Sequence, residues 1–178
     1  MLESDSLMDG RAASESDAFM DAIDPLIPVA YRLAYGLVRS KAEVDDIVQE
    51  ATLKAWKHRA SLRPGSEMRP WFLAIVANQC RQAVRARWWS VIRHPDPASV
   101  DRHQAVDPGD EVESVRQGLR KLKHKDRLVL VLRYYLDESY DDIAATLHVS
   151  PQAARVRLHR ALARLRPIVD VSQEPNDE

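Results

Sequence analysis

The stretch from Ser139 to Arg166 carries the boundary signals of two short helices joined by a tight corner. Ser139 and Asp142 have the Ser-x-x-acid spacing, in which side-chain oxygens accept hydrogen bonds from unpaired backbone N–H groups at a helix start. Ser150 and Pro151 mark the start of the second helix, because proline lacks the N–H group that a first turn leaves unpaired. Two helices with this corner predict a helix-turn-helix.

The second helix of this pair has an apolar stripe and a basic face. Its apolar residues repeat at i, i+3, i+4 and i+7, a spacing that predicts a buried stripe. The stripe consists of Leu158, Ala161, Leu162 and Leu165. Because the second helix of a helix-turn-helix lies in the major groove, the opposite face is the candidate DNA-contacting surface. That surface and its flanks consist of Gln152, Arg155, Val156, Arg157, Arg160 and Arg164. Pro167 predicts the end of the helix, and Arg157 has a second interpretation as an ion pair with Asp142.

The composition favours an all-α fold and excludes several functional classes. Helix-forming residues dominate, the chain has only five glycines, and no segment shows the alternating pattern of a strand. The single cysteine, Cys80, excludes an internal disulfide and is interpreted as a small apolar group rather than a nucleophile. The six histidines lack metal-ligand spacing, and no phosphate loop or nucleophile elbow occurs. We therefore expect no enzymatic activity, no metal and no cofactor. Without a long apolar run or signal peptide, we expect a soluble, cytoplasmic protein.

Charge is distributed in blocks along the chain. The formal net charge is only −1, yet residues 51–94 and 151–166 are strongly basic, whereas 95–113 and both termini are acidic. Such blocks allow basic surfaces to approach phosphates while the rest of the chain avoids non-specific binding. The predicted organisation is a disordered acidic N-terminus at 1–17, a first domain at 18–89, a flexible acidic linker at 90–110, a second domain at 111–167 and an acidic tail at 168–178.

The first domain is predicted to contain an acidic surface helix. A helical segment from Ala18 to Arg39 must be interrupted or restarted at its two prolines. The next helix begins at a capping box, Ser40 to Glu43. Its predicted apolar face consists of Val44, Ile47, Val48, Ala51 and Ala55. The residues left outside are Asp45, Asp46, Gln49 and Glu50. This acidic surface either is merely solvated or binds a partner.

A third helix is predicted from Pro70 to Trp89. Trp71, Phe72 and Ile75 are predicted core residues, whereas Asn78 interrupts an apolar stretch. Basic residues then precede two tryptophans, in the order Arg81, Arg85, Arg87, Trp88 and Trp89. Cations beside aromatic rings are typical of single-strand binding, because bases stack on the rings while cations hold the backbone. The alternative is that the tryptophans close the core of the domain.

The order of these motifs resembles that of bacterial sigma factors. An acidic helix from Ala42 to Glu50 is followed by Trp71-x-x-x-Ile75-x-x-Asn78, a linker and a helix-turn-helix. Two domains without further modules are similar to the extracytoplasmic-function (ECF) group of the sigma-70 family. The resemblance covers roughly Ala18 to Arg166 and rests on two separate motifs in the right order.

The resemblance implies a division of labour along the chain. Asp45, Asp46, Gln49 and Glu50 would bind the clamp-helix coiled coil of the largest polymerase subunit. Asn78 would capture a flipped base of the non-template strand at the −10 element, and Arg81, Arg85 and Arg87 would hold the backbone around it. The linker would extend toward the polymerase active centre, and the helix-turn-helix would read the −35 element. The implied partners are core RNA polymerase, through its largest and second-largest subunits, promoter DNA and an anti-sigma factor, with no membrane insertion.

This sequence departs from the family pattern at several positions. Gln82 stands where members usually have aspartate, which puts in doubt any ion pair that the aspartate makes. His148 replaces the usual glycine at the helix-turn-helix corner, so a left-handed backbone there would carry strain. Ala153 and Val156 replace the more frequent hydroxyl residues, so the promoter preference should be this protein's own. The alternatives are a stand-alone helix-turn-helix regulator, which would leave Asn78 and Asp46 unexplained, and a helical adaptor, which would leave the basic face unexplained.

Overall fold

A computed structural model describes residues 15–38, 40–93 and 110–170 of the chain. All regular secondary structure in these ranges is helical, which confirms the all-α prediction. A first half contains α1 to α4 and a second half contains α5 to α8. The helices are α1 (15–23), α2 (Ile27–Leu37), α3 (Lys41–His58), α4 (Met68–Arg93), α5 (Asp110–Lys121), α6 (His124–Leu130), α7 (Tyr140–Leu147) and α8 (Pro151–Asp170). A π-helical turn, Val131–Tyr135, continues α6.

Two prolines divide the first helical segment, as the sequence predicts. Pro25 lies in a 3-10 turn at Asp24–Leu26, and Pro28 lies in the first turn of α2. A proline at the start of a helix costs no intrahelical hydrogen bond, because N–H groups of the first turn have no partner within the helix.

The apolar face predicted for α3 is confirmed. Ser40 caps the helix with an extended backbone, and its Oγ accepts a long hydrogen bond of 3.5 Å from the N–H of Glu43. All five residues of the predicted face are buried: Val44, Ile47, Val48, Ala51 and Ala55. The acidic residues of α3 therefore lie on its outer side.

The long helix α4 is the centre of the first half. It begins at Met68, two residues before Pro70, and continues past Trp89 into the segment predicted as linker. Phe72 is fully buried, and Trp71 and Ile75 are half-buried against the core. Cys80 is also fully buried, and burial raises the pKa of its thiol to about 12. The thiol therefore remains protonated, as the apolar interpretation expects.

Helices α7 and α8 form the predicted helix-turn-helix. Ser139 Oγ accepts a hydrogen bond of 3.1 Å from the N–H of Asp142, and Ser150 Oγ accepts one of 3.2 Å from the N–H of Ala153. The corner lies at His148, whose backbone is left-handed with φ 52° and ψ 50°. Because a side chain with a Cβ is strained in this conformation, the histidine carries the cost that glycine would avoid.

The prediction that α8 ends at Pro167 is wrong. The helix continues through Pro167 to Asp170. A proline inside a helix removes one hydrogen bond and crowds the carbonyl four residues earlier. Here that carbonyl belongs to Ala163, on an exposed part of the helix, and Ile168 in the added turn packs against the core. The apolar contact of Ile168 offsets the loss at Pro167.

The two halves meet along a shared hydrophobic core. Helices α2 and α4 contact α6, the π-helical turn and α7, and we call this boundary the seam. At Gly36 of α2, an added Cβ would lie 2.7 Å from the Cγ1 of Val131. The α2 backbone therefore approaches the π-helical turn more closely than any residue with a side chain would allow.

Arginines hold the polar parts of the seam. Arg127 of α6 donates a hydrogen bond of 3.0 Å to the carbonyl of Leu37 at the end of α2. Arg69 of α4 donates from Nε to the buried carboxylate of Glu138 at 3.1 Å. Arg32 of α2 donates to the carbonyl of Tyr135. These three contacts each join one half to the other.

A neutral histidine also lies at the seam. Burial lowers the pKa of His124, the first residue of α6, to about 4, and the nearby charges of Arg127 and Arg81 act in the same direction. Arg81 belongs to α4 and Arg127 to α6, so charges from both halves act on His124. At neutral pH the imidazole is therefore uncharged, which avoids repulsion from these two arginines.

We expect Gly36→Ala to destabilise the protein through the seam. Overpacking costs about 1–3 kcal/mol, and the higher helix propensity of alanine offsets about 1 kcal/mol. The free energy of unfolding in urea should therefore fall by up to about 2 kcal/mol. Val131→Ala removes the colliding methyl groups, so adding Gly36→Ala to that variant should cost no further stability. Additive effects of the two substitutions would contradict this contact.

Candidate nucleic-acid interface

An open cleft of about 480 Å³ lies between the end of α3 and the middle of α4. Trp71, Ile75, Asn78 and Gln82 line its α4 side, at spacings of three and four residues that lie on one side of a helix. Lys54 and His58 line its α3 side, and Arg81 also contributes to the lining. The described residues of the lining include no carboxylate. Cationic and amide groups beside a tryptophan suit a ligand that combines rings with phosphates.

The structure brings some of the predicted strand-binding residues together at this cleft. Asn78 and Arg81 are exposed and line it, and Arg85 is exposed one turn further along α4. The side chain of Arg87 lies outside the described residues, as do those of Trp88 and Trp89. Of the residues predicted to bind a single strand, the described side chains at or near the cleft are therefore those of Asn78, Arg81 and Arg85.

The predicted acidic surface of α3 faces outward, with differences among its members. Asp46, Gln49 and Glu50 are exposed. Asp45 is half-buried beside Tyr31: burial raises the pKa of this tyrosine, and the charge of Asp45 and a hydrogen bond to it raise it further. Glu50 forms an ion pair of 3.4 Å with Lys54, which also lines the cleft. Asp46 and Gln49 are therefore the most available groups for a partner.

The predicted recognition surface of α8 is also exposed. Ala154, Leu158 and Ala161 are buried, and Leu162 and Leu165 are half-buried against the core. The six candidate contact residues all lie outside: Gln152, Arg155, Val156, Arg157, Arg160 and Arg164. Val156 is exposed among these polar residues and offers its methyl groups on the same face.

The surroundings of Arg155 and Arg157 bear on the roles of these two residues. Arg155 lies 5.0 Å from the centroid of the Tyr140 ring, and Arg133 approaches the same ring at 5.5 Å. Two cations therefore flank one aromatic ring at the start of α7. Arg157 is exposed, and the carboxylate of Asp142 accepts a hydrogen bond of 2.6 Å from Ser139 Oγ. Among the described residues, the alternative pair of Arg157 with Asp142 does not form.

Arg164 belongs to an ion pair that the sequence does not reveal. Its Nη1 lies 2.9 Å from Oδ2 of Asp126, a carboxylate that is largely buried on α6. Burying an unpaired carboxylate is costly, so Arg164 stabilises the second half in addition to any contact with DNA.

The sequence patterns also missed groups at the cleft. Lys54 and His58 come from α3, and their place opposite Asn78 follows only from the packing of α3 on α4. Gln82 was named above only as a departure from the family pattern. Its place in the cleft could have been predicted, because it is four residues after Asn78 and therefore on the same side of the helix.

Two negative findings apply to the described part of the chain. No group of three or more His, Cys, Asp and Glu residues there could hold a metal ion. None of the helices there combines the length and the apolar character needed to cross a membrane.

A capped helix pair with an exposed basic face defines a helix-turn-helix DNA-binding protein. Known proteins agree with this class and narrow it. The family description "Sigma-70 region 2" matches residues 22–90, and "Sigma-70, region 4" matches residues 113–165. The RNA polymerase sigma factor CarQ of Myxococcus xanthus is 30% identical over 86% of this chain and 90% of its own length. The chain belongs to the ECF group of the sigma-70 family.

Solved structures have the same fold. CnrH, in complex with the cytosolic domain of CnrY, is 25% identical and covers 93% of this chain and 96% of its own, with a TM-score of 0.65. The sigma factor RpoE of Bartonella quintana, in complex with the anti-sigma factor NepR, is 24% identical and covers 86% of this chain and 98% of its own, with a TM-score of 0.67. Both similarities extend over most of the two halves.

Arg164→Ala should destabilise the fold, whereas Arg160→Ala should not. Loss of Arg164 leaves the buried carboxylate of Asp126 unpaired, at a cost of about 1–3 kcal/mol in the free energy of unfolding. Arg160 is exposed, so its replacement should change that free energy by less than about 0.5 kcal/mol. Urea unfolding of both variants measures the difference. Equal stabilities would contradict a structural role for Arg164.

Proposed function

We propose that this protein binds core RNA polymerase, brings it to specific promoters and opens the DNA of the −10 element. Its family makes it a factor for promoter-directed transcription initiation. The observation that carries the finer proposal is Asn78, an exposed amide in a cationic cleft within the half that matches region 2. Opening needs no hydrolysis, because a site that binds unstacked bases better than stacked ones supplies the free energy.

The acidic surface of α3 is the proposed anchor to polymerase. Asp46 and Gln49 are one turn apart and exposed, and Glu50 lies beside them. Asp45 contributes less directly, since its carboxylate is beside Tyr31. The opposite face of α3 is buried, so the helix backbone is held in place and these side chains project from one side of it toward the proposed partner, the largest subunit.

The cleft is the proposed site of strand capture. Asn78 offers a donor and an acceptor to the edge of one extruded base. Arg81 and Arg85 are exposed on the same helix and would hold the phosphates of the non-template strand, with Arg87 in the same role.

Helix α8 is the proposed reader of the −35 element. Gln152 and Val156 lie near its N-terminal end, where an amide can pair with adenine and methyl groups can pack on thymine. Arg155, Arg157, Arg160 and Arg164 would contact phosphates. Arg164 would contribute less than the others, because its charge is already paired with that of Asp126.

Binding both elements at once requires the seam to open. Positions −10 and −35 are about 25 base pairs apart, or about 85 Å along a duplex at 3.4 Å per base pair. In the structure described here α4 packs on α7, and α7 packs on α8. Because a helix is about 10 Å across, the DNA-binding surfaces of α4 and α8 are separated by only a few such diameters, much less than about 85 Å. We therefore infer that α5 to α8 separate from α1 to α4 when the holoenzyme engages a promoter.

A regulatory partner and a cytoplasmic location complete the proposal. CnrH, which resembles this chain over most of both halves, was solved with a cytosolic protein domain bound. We propose that this chain likewise has an anti-sigma factor, and that it works where core polymerase works, in the cytoplasm. A stand-alone transcriptional regulator is not favoured, because that function would leave the half that matches region 2 unexplained.

Asp46→Arg should abolish association with core polymerase while the fold remains intact. Reversing a charge at a complementary interface removes attraction and adds repulsion, a change worth about 2–5 kcal/mol or more than thirtyfold in affinity. Binding to core polymerase is measured by fluorescence anisotropy, and helicity by circular dichroism. Asp21→Arg on α1 makes the same charge change at another exposed position and should bind normally. Retained binding by Asp46→Arg would refute the anchor.

Asn78→Ala should leave holoenzyme assembly and closed-complex binding unchanged but slow promoter opening. The amide contact exists only after the base leaves the stack, so its loss affects only the opened state. Permanganate reactivity of unpaired thymines reports opening. A promoter with a pre-opened −10 region should restore much of the activity, because the cost of unstacking has been removed. Equal opening of duplex promoter by the variant and the wild type would contradict this role.

A further inference from the structure

A second amide, that of Gln82, lines the same cleft one helical turn after Asn78. We propose that Gln82 is a specificity-determining residue that reads the unpaired base next to the one captured by Asn78. The inference rests on the proposed strand-capturing function of the cleft and adds a second reading position to it.

The spacing of the two residues fits two neighbouring bases. Residues four apart on a helix have Cβ atoms about 5–6 Å apart. Stacked bases in a duplex are only about 3.4 Å apart, and bases that have left the stack lie farther apart than this. The spacing of Asn78 and Gln82 therefore suits contacts to two successive bases of an opened strand better than two contacts to the same base.

Both amides are available for such contacts. Asn78 and Gln82 are exposed, and among the described residues the side-chain amide of neither has a hydrogen-bond partner. Each amide presents a donor beside an acceptor, so each can distinguish base edges by their hydrogen-bonding pattern. An aspartate at residue 82 would offer acceptors only.

The described groups that line the cleft around Gln82 are cationic, polar or apolar. Lys54 and His58 form the facing side, Arg81 lies beside Gln82, and the described lining holds no carboxylate. A strand that enters the cleft can therefore keep its phosphates near cations while its bases turn toward α4. A carboxylate at residue 82 would interact with the charge of nearby phosphates whatever the base, whereas the contacts of the neutral amide depend on the hydrogen-bonding groups of the base.

The test compares Gln82→Leu with Ala86→Asp in reconstituted holoenzyme. Gln82→Leu removes the amide at similar size and without a charge. Ala86→Asp adds a carboxylate on the same helix one turn further on, outside the lining of the cleft. Wild-type holoenzyme first selects a promoter from a pool randomised over both elements. Each position of the −10 element of this promoter is then changed to the other three bases. Every resulting promoter is prepared in two forms, one fully duplex and one with the −10 region unpaired. The amount of open complex is measured for each form.

Gln82→Leu should reduce discrimination about tenfold at one position of the −10 element, next to the position affected by Asn78→Ala. The effect should persist on the unpaired templates. Ala86→Asp should weaken all sequences alike and increasingly at low salt, because its effect is electrostatic.

An equal loss for every base in Gln82→Leu would overturn the inference, and so would a change at the same position as Asn78→Ala. Either result would leave the function of the cleft intact, provided that Asn78→Ala still slows opening. Absence of any effect from both Asn78→Ala and Gln82→Leu would instead overturn the proposed function of the cleft. Circular dichroism and binding to core polymerase verify that each variant is folded.

Discussion

The arrangement of the described structure depends on one guanidinium group, that of Arg127. It donates hydrogen bonds to the carbonyls of Leu119, Arg120 and Leu122 at the end of α5 and to that of Leu37 at the end of α2. The last carbonyls of a helix have no partner within it, and the negative end of the helix dipole favours a cation. A single side chain of α6 therefore stabilises the ends of two helices, one from each half.

The seam around Arg127 combines strong contacts with contacts that water can replace. Val131 against Gly36 is an apolar contact without room for solvent. In contrast, the guanidinium of Arg69 is partly exposed, so water can solvate it if Glu138 moves away. Interfaces between domains of one chain are usually of this mixed kind and permit relative motion. A seam of this composition would permit the separation of the two halves that we propose for promoter binding.

Local sequence signals predicted much of the fold and which face of the surface helices is exposed. Capping serines and starting prolines depend on a few neighbouring residues, so Ser139, Ser150 and Pro28 identified helix boundaries correctly. Helical periodicity likewise predicted the buried face of α3. The end of α8 was predicted wrongly because the rule for Pro167 is local, whereas the packing of Ile168 that outweighs it is tertiary.

The sequence by itself determined which residues form helices and which face of each helix is exposed, because these depend on spacings of three and four residues. It also determined the family, because two motifs occur in a fixed order. Only the tertiary structure decided which groups meet across helices: His58 with Asn78 at the cleft, Asp126 with Arg164, and Glu138 with Arg69. These partners are separated by twenty or more residues, and their meeting depends on how the helices pack, which no local spacing encodes.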